Sequence, residues 1–397
     1  MAGAARARGR TPDESRRDLA WLAFGEVPGL GCVGFRRIAE VFGDPTDAFF
    51  GGRSRLRDIV GLSRPAVEGL LAFSAWDRLA EEMRRVREAG VRLVRYTDPA
   101  YPERLRAIHD PPPVLYARGS PEAVGYASVG VVGTRAPSEY GREMTRLLCR
   151  GLAAAGIVVV SGMARGIDRH AHEAALDGGG WTVAVLGSGV DVPYPPEHRD
   201  LSRRIEGGGA VLSDYPLGTR PLPHHFPSRN RLISGLALGV VVVEATERSG
   251  SLITARCALE QGREVFAVPG PARASRSRGP HRLIRQGAKL VEDVSDVIEE
   301  IVPQLAAQAR DARPEAAIDA GDSGRVHVPL GGAYGAILRD LEAGPLHVDD
   351  VMDRTDLPAQ QVCEVLLELE LQGLLRQLPG NRYALNTAVI GTTGAAR

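Results

Sequence analysis

Between His224 and Gly235 the chain reads HHFPSRNRLISG, and its centre brings the ring of Phe226 close in sequence to Arg229, Asn230 and Arg231. Guanidinium groups pair bidentately with phosphate and an aromatic ring stacks on a base, so the combination suits a phosphate-and-base ligand. An arginine-rich surface loop with solvated side chains has the same composition. Other ligand-type residues stand directly after apolar runs. Gly133-Thr134-Arg135 follows ASVGVV, with Ser138 and Gly141 beyond it, and Ser161-Gly162-Met163-Ala164-Arg165-Gly166-Ile167-Asp168 follows IVVV. Gly187-Ser188-Gly189-Val190-Asp191 and then Tyr194-Pro195 follow TVAVL; Glu244 and then Ser249-Gly250-Ser251-Leu252-Ile253-Thr254 follow VVVV. Glycine lets a backbone approach a ligand, and amides at a helix start favour an anion. Each glycine alone equally suits a tight turn. Together on one sheet edge, with Arg135 and the FPSRNR arginines, they point to an anion site.

Other chemistries fit poorly. GSGVDV carries Val192 where a dinucleotide fingerprint needs its third glycine, and Lys289 is the only lysine, so no GxxxxGK[ST] exists. His170 and His172, with Asp168, stand two apart at a helix start and face away from one another; solvated or capping roles are expected rather than a metal site. Ser161 and Ser249 lack a His/Asp partner pattern and read as helix caps. Glu244 would be a general base if buried, but pairing with Arg229 or Arg231 is the expected use. Cys32, Cys149, Cys257 and Cys363 are scattered with no CxxC pair, which argues against zinc or a disulfide framework. Neither a metal nor a cofactor is expected.

The elements that must position these residues follow from periodicity. Residues 1–90 read as a helical domain in which Pro28-Gly29-Leu30-Gly31 resembles a helix-hairpin-helix (or SAM-like) turn, with a purely structural turn as the plainer account. From 91 to 304, nine short β-branched runs alternate with helical stretches such as EYGREMTRLLCRGLAAAG, the pattern of a largely parallel, Rossmann-like sheet covered on both faces. In such a sheet ligands bind beyond the carboxyl ends of the strands. Residues 305–329, rich in Ala, Asp, Gly and Pro, read as a flexible linker. Residues 330–389 give three helices and a hairpin, the order of a winged helix. Its third helix carries Glu364, Glu368 and Glu370 and no Arg or Lys, which suits a protein contact better than a DNA groove.

The 397 residues hold 49 basic and 49 acidic side chains, so any nucleic-acid contact must come from a local patch. The preference for Arg over Lys is what the codon usage of a GC-rich genome would produce, so arginine abundance is not evidence of function. No apolar run is long enough for a bilayer and the first residues lack a leader's apolar core, so a cytoplasmic protein with no membrane partner is expected.

GTRAPSEYG, SGMARGIDRHAHEAAL, VLGSGVDVPYPPEHRDL, the run from SDYPLGTRPLPHHFPSRNR to REVFAVPG, and LIRQGAKLV closely resemble the DNA-processing protein A family, also called DprA or Smf. The motifs keep their order across more than half of the chain. The resemblance implies a non-catalytic binder of single-stranded DNA that protects incoming DNA in natural transformation, loads RecA and dimerises through its Rossmann-like domain. It assigns Arg135, Phe226, Arg229 and Arg231 to a basic pocket, with Asn230 in the same motif. Gly133 and Gly162 would admit phosphates, Arg165 would add charge, and Thr134, Ser249, Gly250 and Ser251 would complete the site. Two departures stand out: His224 and His225 replace a frequent lysine, pointing to weaker or pH-dependent binding, and Asp214 replaces the usual Glu. The rival from another class is a nucleotide-binding sensor or phosphoribohydrolase-like enzyme, in which Glu244 would be the acid. The PGG-x-GT turn of those enzymes is missing.

Overall fold

The computed structural model describes residues 12–51, 55–125, 127–311, 333–342, 344–355, 375–378 and 382–385, with 362, 365, 366 and 369. The chain divides into two compact units, Met1–Pro314 and Glu315–Arg397.

The first unit opens with five helices: α1 (Pro12–Phe24), α2 (Gly31–Phe42), α3 (Pro45–Phe50), α4 (Arg64–Leu71) and α5 (Trp76–Glu88). Local chemistry starts two of them. Asp44 accepts from the Thr46 amide ahead of α3, Ser63 accepts from the Ala66 amide ahead of α4, and a proline stands in each first turn. Gly29 adopts φ 73°, and a Cβ there would meet Pro65 at 3.3 Å, so the PGLG turn packs against the start of α4. Trp21, Phe24, Phe35 and Phe49 fill the core between these helices.

A nine-stranded sheet follows: β1 (Arg92–Arg95), α6 (Glu103–Arg106), β2 (Val114–Gly119), β3 (Ser128–Val132), α7 (Glu139–Ala154), β4 (Val158–Ser161), α8 (Ile167–Asp177), β5 (Thr182–Val185), α9 (Arg199–Gly207), β6 (Gly209–Ser213), α10 (His225–Leu236), β7 (Gly239–Val242), α11 (Ser251–Glu260), β8 (Glu264–Ala267), α12 (Arg278–Arg285), β9 (Lys289–Leu290) and α13 (Val294–Asp311). The strand order is β1-β2-β6-β5-β4-β3-β7-β8-β9. All pairs from β6 to β9 are parallel, while β2 is antiparallel to both β1 and β6. Runs such as Val129–Val132 and Val240–Val243 are wholly buried because helices cover both faces. The chain leaves β3 towards β4, β5 and β6, then returns to the other side of β3 as β7. The switch point, and the crevice it opens, therefore lies beyond the carboxyl ends of β3 and β7.

Helix α13 continues past Gln304 to Asp311, into the stretch expected as linker; its buried Val297 and Ile301 join Leu148 and Leu152 of α7 in one core cluster. Residues 312–332 lie outside the described residues. The second unit holds α14 (Ala333–Glu342), β10 (Leu346–His347), α15 (Val348–Thr355), β11 (Leu375–Leu378) and β12 (Arg382–Leu385), the strands pairing in the order β10-β12-β11. Val362, Val365, Leu366 and Leu369 are helical and buried beside Ile337, Leu341 and Val351. Their spacing places one helical face on the core of a winged helix. Glu364, Glu368 and Glu370 lie outside the described residues.

Candidate nucleic-acid interface

A cleft of 630 Å³ opens at the switch point, lined by Gly133 and Arg135 after β3, Ala164 and Asp168 at the start of α8, Tyr194, residues of α10, and Ser249, Gly250 and Ser251 at the start of α11. Loops from four strands thus meet at one rim, as expected from residues that are distant in sequence.

The FPSRNR segment is helical, not a surface loop. Pro227 sits in the first turn of α10, where a missing N–H costs no intrahelical bond. Phe226 and Asn230, four residues apart, share the face that lines the cleft. The Arg135 guanidinium lies over the Phe226 ring, 5.7 Å from its centroid, and the centroid of the Tyr194 ring lies 5.6 Å from that of Phe226. Arg135 is exposed and forms no ion pair with a described carboxylate. Asn230 donates to the Gly250 carbonyl at 3.3 Å and ties α10 to the start of α11.

The other two arginines are held by protein groups, although Arg229 also lines the cleft. Arg229 is 3 % exposed; it donates to the carbonyls of Gly162, at 3.0 Å, and Val185. Burial pulls its pKa down to about 10, against the opposing charges of Asp168 and Asp214. Burial likewise pushes the Asp168 carboxyl up, opposed by Arg229 and by the Ala164 amide, which donates to it at 3.3 Å. Arg231 does not reach the cleft: it binds Asp214 at 2.7 Å and the carboxylate of Asp110 at 3.2 Å.

The sequence pattern of the DNA recombination-mediator protein A family matches residues 92–302, more than half of the chain. This chain belongs to that DprA family. The pattern of the DprA winged helix domain matches residues 324–381. Protein Smf of Escherichia coli is 44% identical over 289 residues, 72% of this chain and 76% of that protein. The DNA processing protein DprA of Streptococcus pneumoniae is 43% identical over 246 residues, 62% of this chain and 85% of its own. The X-ray structure of DNA processing protein A from Streptococcus pneumoniae is similar with a TM-score of 0.63 and 37% identity, covering 72% of this chain and 97% of that one. Membership of the DprA family carries a DNA-processing role.

Several expectations drawn from the sequence change in the folded chain. A Cβ on Gly162 would meet the Arg229 guanidinium at 2.6 Å, so the glycine makes room for a buried arginine. A Cβ on Gly133 would strike Ile167 at 2.5 Å, a packing demand of the same kind. Thr134 stitches loops together, its amide donating to the Glu244 carbonyl and its own carbonyl accepting from Ile167. Arg165 is exposed but held by Glu197 at 2.5 Å. Glu244 pairs with neither Arg229 nor Arg231; it accepts from the amide and hydroxyl of Ser138 and occupies the start of α7. Asp168 does the same at the start of α8, whereas the start of α11 has no carboxylate on its amides among the described residues. Ser249 caps there weakly, accepting from the Ser251 amide at 3.4 Å, whereas Ser161 is no cap and donates to Val131. His172 is neither solvated nor a cap: it is buried with Nδ1 on Thr182, and His170 lies beside Glu173. His225 is buried against Tyr215, and neither it nor His224 lines the cleft.

Sequence reasoning did not assign Tyr194 or Asp168 to the site, although both belong to loops it singled out. It also passed over Arg220 and Arg248, exposed neighbours of the lining residues Pro221 and Ser249. Among the described residues no group of His, Cys, Asp or Glu could hold a metal ion, and no helix is long and apolar enough to cross a membrane.

Proposed function

We infer that the protein binds single-stranded DNA in the switch-point cleft, protects incoming strands during transformation and loads RecA onto them, in the cytoplasm and without catalysis. The observation that carries this reading is the exposed Arg135, free of any described carboxylate, set over the Phe226 ring in a cleft of nucleotide size. A guanidinium for phosphate beside a ring for a base is the elementary requirement of sequence-tolerant single-strand binding. Ser249, Gly250 and Ser251 offer a helix start to a further phosphate, and Asn230 holds that start in place. Arg229, Arg231, Gly133, Gly162 and Thr134 support the rim from within, and Arg165 becomes a DNA contact only by leaving Glu197. The family resemblance adds a homodimer through the Rossmann-like domain; two clefts in one particle would raise the effective concentration of each for a shared strand. A phosphoribohydrolase-like or nucleotide-sensing role is disfavoured, because the acid it needs, Glu244, already holds Ser138.

Titration of labelled oligo-dT and of duplex at two salt concentrations tests the binding step. Binding confined to the single strand and falling with salt is expected; a preference for duplex, or for a mononucleotide with release of base, would overturn it. The loading step is read by the time course of RecA ATP hydrolysis on strands coated with single-strand-binding protein. Faster onset with the protein present is expected, and no acceleration at any concentration removes the loader role while leaving strand binding in place.

A further inference from the structure

The rim that carries the cleft does not end at α11. In the sheet β3, β7 and β8 are parallel neighbours, so the loops beyond their carboxyl ends stand side by side, about 10 Å from the first to the third. Arg135 comes after β3, Arg248 after β7, and the segment Pro269–Arg278 after β8. That segment is fixed through its backbone. The Arg276 carbonyl accepts from the Ala245 amide at 2.7 Å, and the Gly279 amide donates to the Ala245 carbonyl at 2.9 Å. A Cβ on Gly279 would meet that carbonyl oxygen at 2.6 Å, so the loops after β7 and β8 are in contact. From α7, the Tyr140 hydroxyl donates to the Pro269 carbonyl at 2.7 Å.

The side chains of this segment are not used in the same way. Between Glu264 and Glu292 the chain holds Arg273, Arg276, Arg278, Arg282, Arg285 and Lys289 and no carboxylate, in a protein whose basic and acidic side chains are equal in number. Lys289 is taken by Glu299 and Glu300. Arg278 has Glu247 at 3.9 Å, an exposed pair of little worth. Arg248, Arg273 and Arg276 are exposed and form no ion pair with a described carboxylate. A pinned backbone presents these cations with little further ordering to be done on binding. Three of them fall within the six residues from Arg273 to Arg278, where they repel one another, and a polyanion lying across them removes that repulsion and releases its own counterions. On the opposite side of the cleft Arg165 is already held by Glu197.

We propose that a single strand leaving the cleft continues across the loop after β7 and over the carboxyl end of β8, with its phosphates on Arg248, Arg273 and Arg276. The proposal rests on strand binding in the cleft and adds the direction in which the strand runs. Titration of the full chain with an oligo-dT longer than about 16 nucleotides, the upper end of single-strand site sizes, tests it at several salt concentrations. Arg273→Ser combined with Arg276→Ser should lower the slope of log affinity against log salt by about 1.4, the share of two phosphate contacts on a single strand. The melting temperature should stay as it was, because the anchors of the segment are backbone groups. Arg57→Ser combined with Arg150→Ser makes the same charge change at exposed arginines without a described carboxylate partner, one among the N-terminal helices and one towards the far end of α7. This second pair should leave the slope unchanged. A native slope in the Arg273/Arg276 variant overturns the proposal, as does an equal fall in both double variants, which would make the effect one of net charge. Arg135→Ala reads the cleft separately: a slope lowered by that change and not by the Arg273/Arg276 pair keeps the cleft and removes the continuation, whereas a native chain that binds no single strand removes both.

Discussion

Arg229→Met should destabilise the first unit by about 3–5 kcal/mol, the cost of removing one partner from a buried charged network. The side chain is 3 % exposed and donates to the carbonyls of Gly162 and Val185. Methionine retains volume but no donors, so Gly162 and Val185 are left without their partner and Asp168 without the largest charge opposing its burial. The deficit is a large share of the 5–15 kcal/mol typical of a folded domain, and a fall in melting temperature on the order of 10 °C follows. It should also depend on pH. The Asp168 carboxyl already stands above its ordinary value, and without Arg229 it rises further. A carboxyl raised in the folded state carries no penalty below its unfolded pKa and a growing one as pH rises through the folded pKa. The deficit of Arg229→Met relative to the native chain should therefore be smaller near pH 4 than at pH 7. Thermal melts across that range check it. A variant that melts like the native chain yet no longer binds DNA would show that the guanidinium serves phosphate after all.

Arg135→Ala acts on binding and leaves stability alone. Its side chain is exposed and rests on the Phe226 ring, so truncation opens no cavity. Taking away one arginine–phosphate pair on a single strand should lower the slope of log affinity against log salt by about 0.7. Affinity at low salt should fall by about tenfold, the scale of one charge-assisted hydrogen bond. Phe226→Ala separates the two components. Stacking of one base on an aromatic ring is worth about 1–3 kcal/mol and carries no charge, so affinity should fall while the slope stays as it was. Binding isotherms of oligo-dT at several salt concentrations give both quantities. An unchanged slope in Arg135→Ala removes this arginine from the phosphate path.

The sequence by itself determined the nine strands, since β-branched runs bounded by glycine have few other uses, and with them the rim on which the cleft opens. It also placed Arg135 at that rim, since Gly133-Thr134-Arg135 follows β3 directly. It left open what the FPSRNR arginines do. Phe226, Arg229, Asn230 and Arg231 are neighbours in the chain, yet at 3.6 residues per turn the two arginines leave α10 in directions other than the face that Phe226 and Asn230 share. Which direction is inside depends on the partners supplied there. Those of Arg229 lie 67 and 44 residues away, and Asp110 and Asp214, which hold Arg231, are 121 and 17 residues distant. Glu244 shows the same limit, for its partner Ser138 stands 106 residues earlier and becomes adjacent only because β3 and β7 pair. Local pattern fixes where a strand ends and a helix begins. Whether a charge at that junction meets solvent or a buried partner is decided by the tertiary structure, because burial makes an unpaired charge too costly to keep and only the assembled sheet brings the partner within reach.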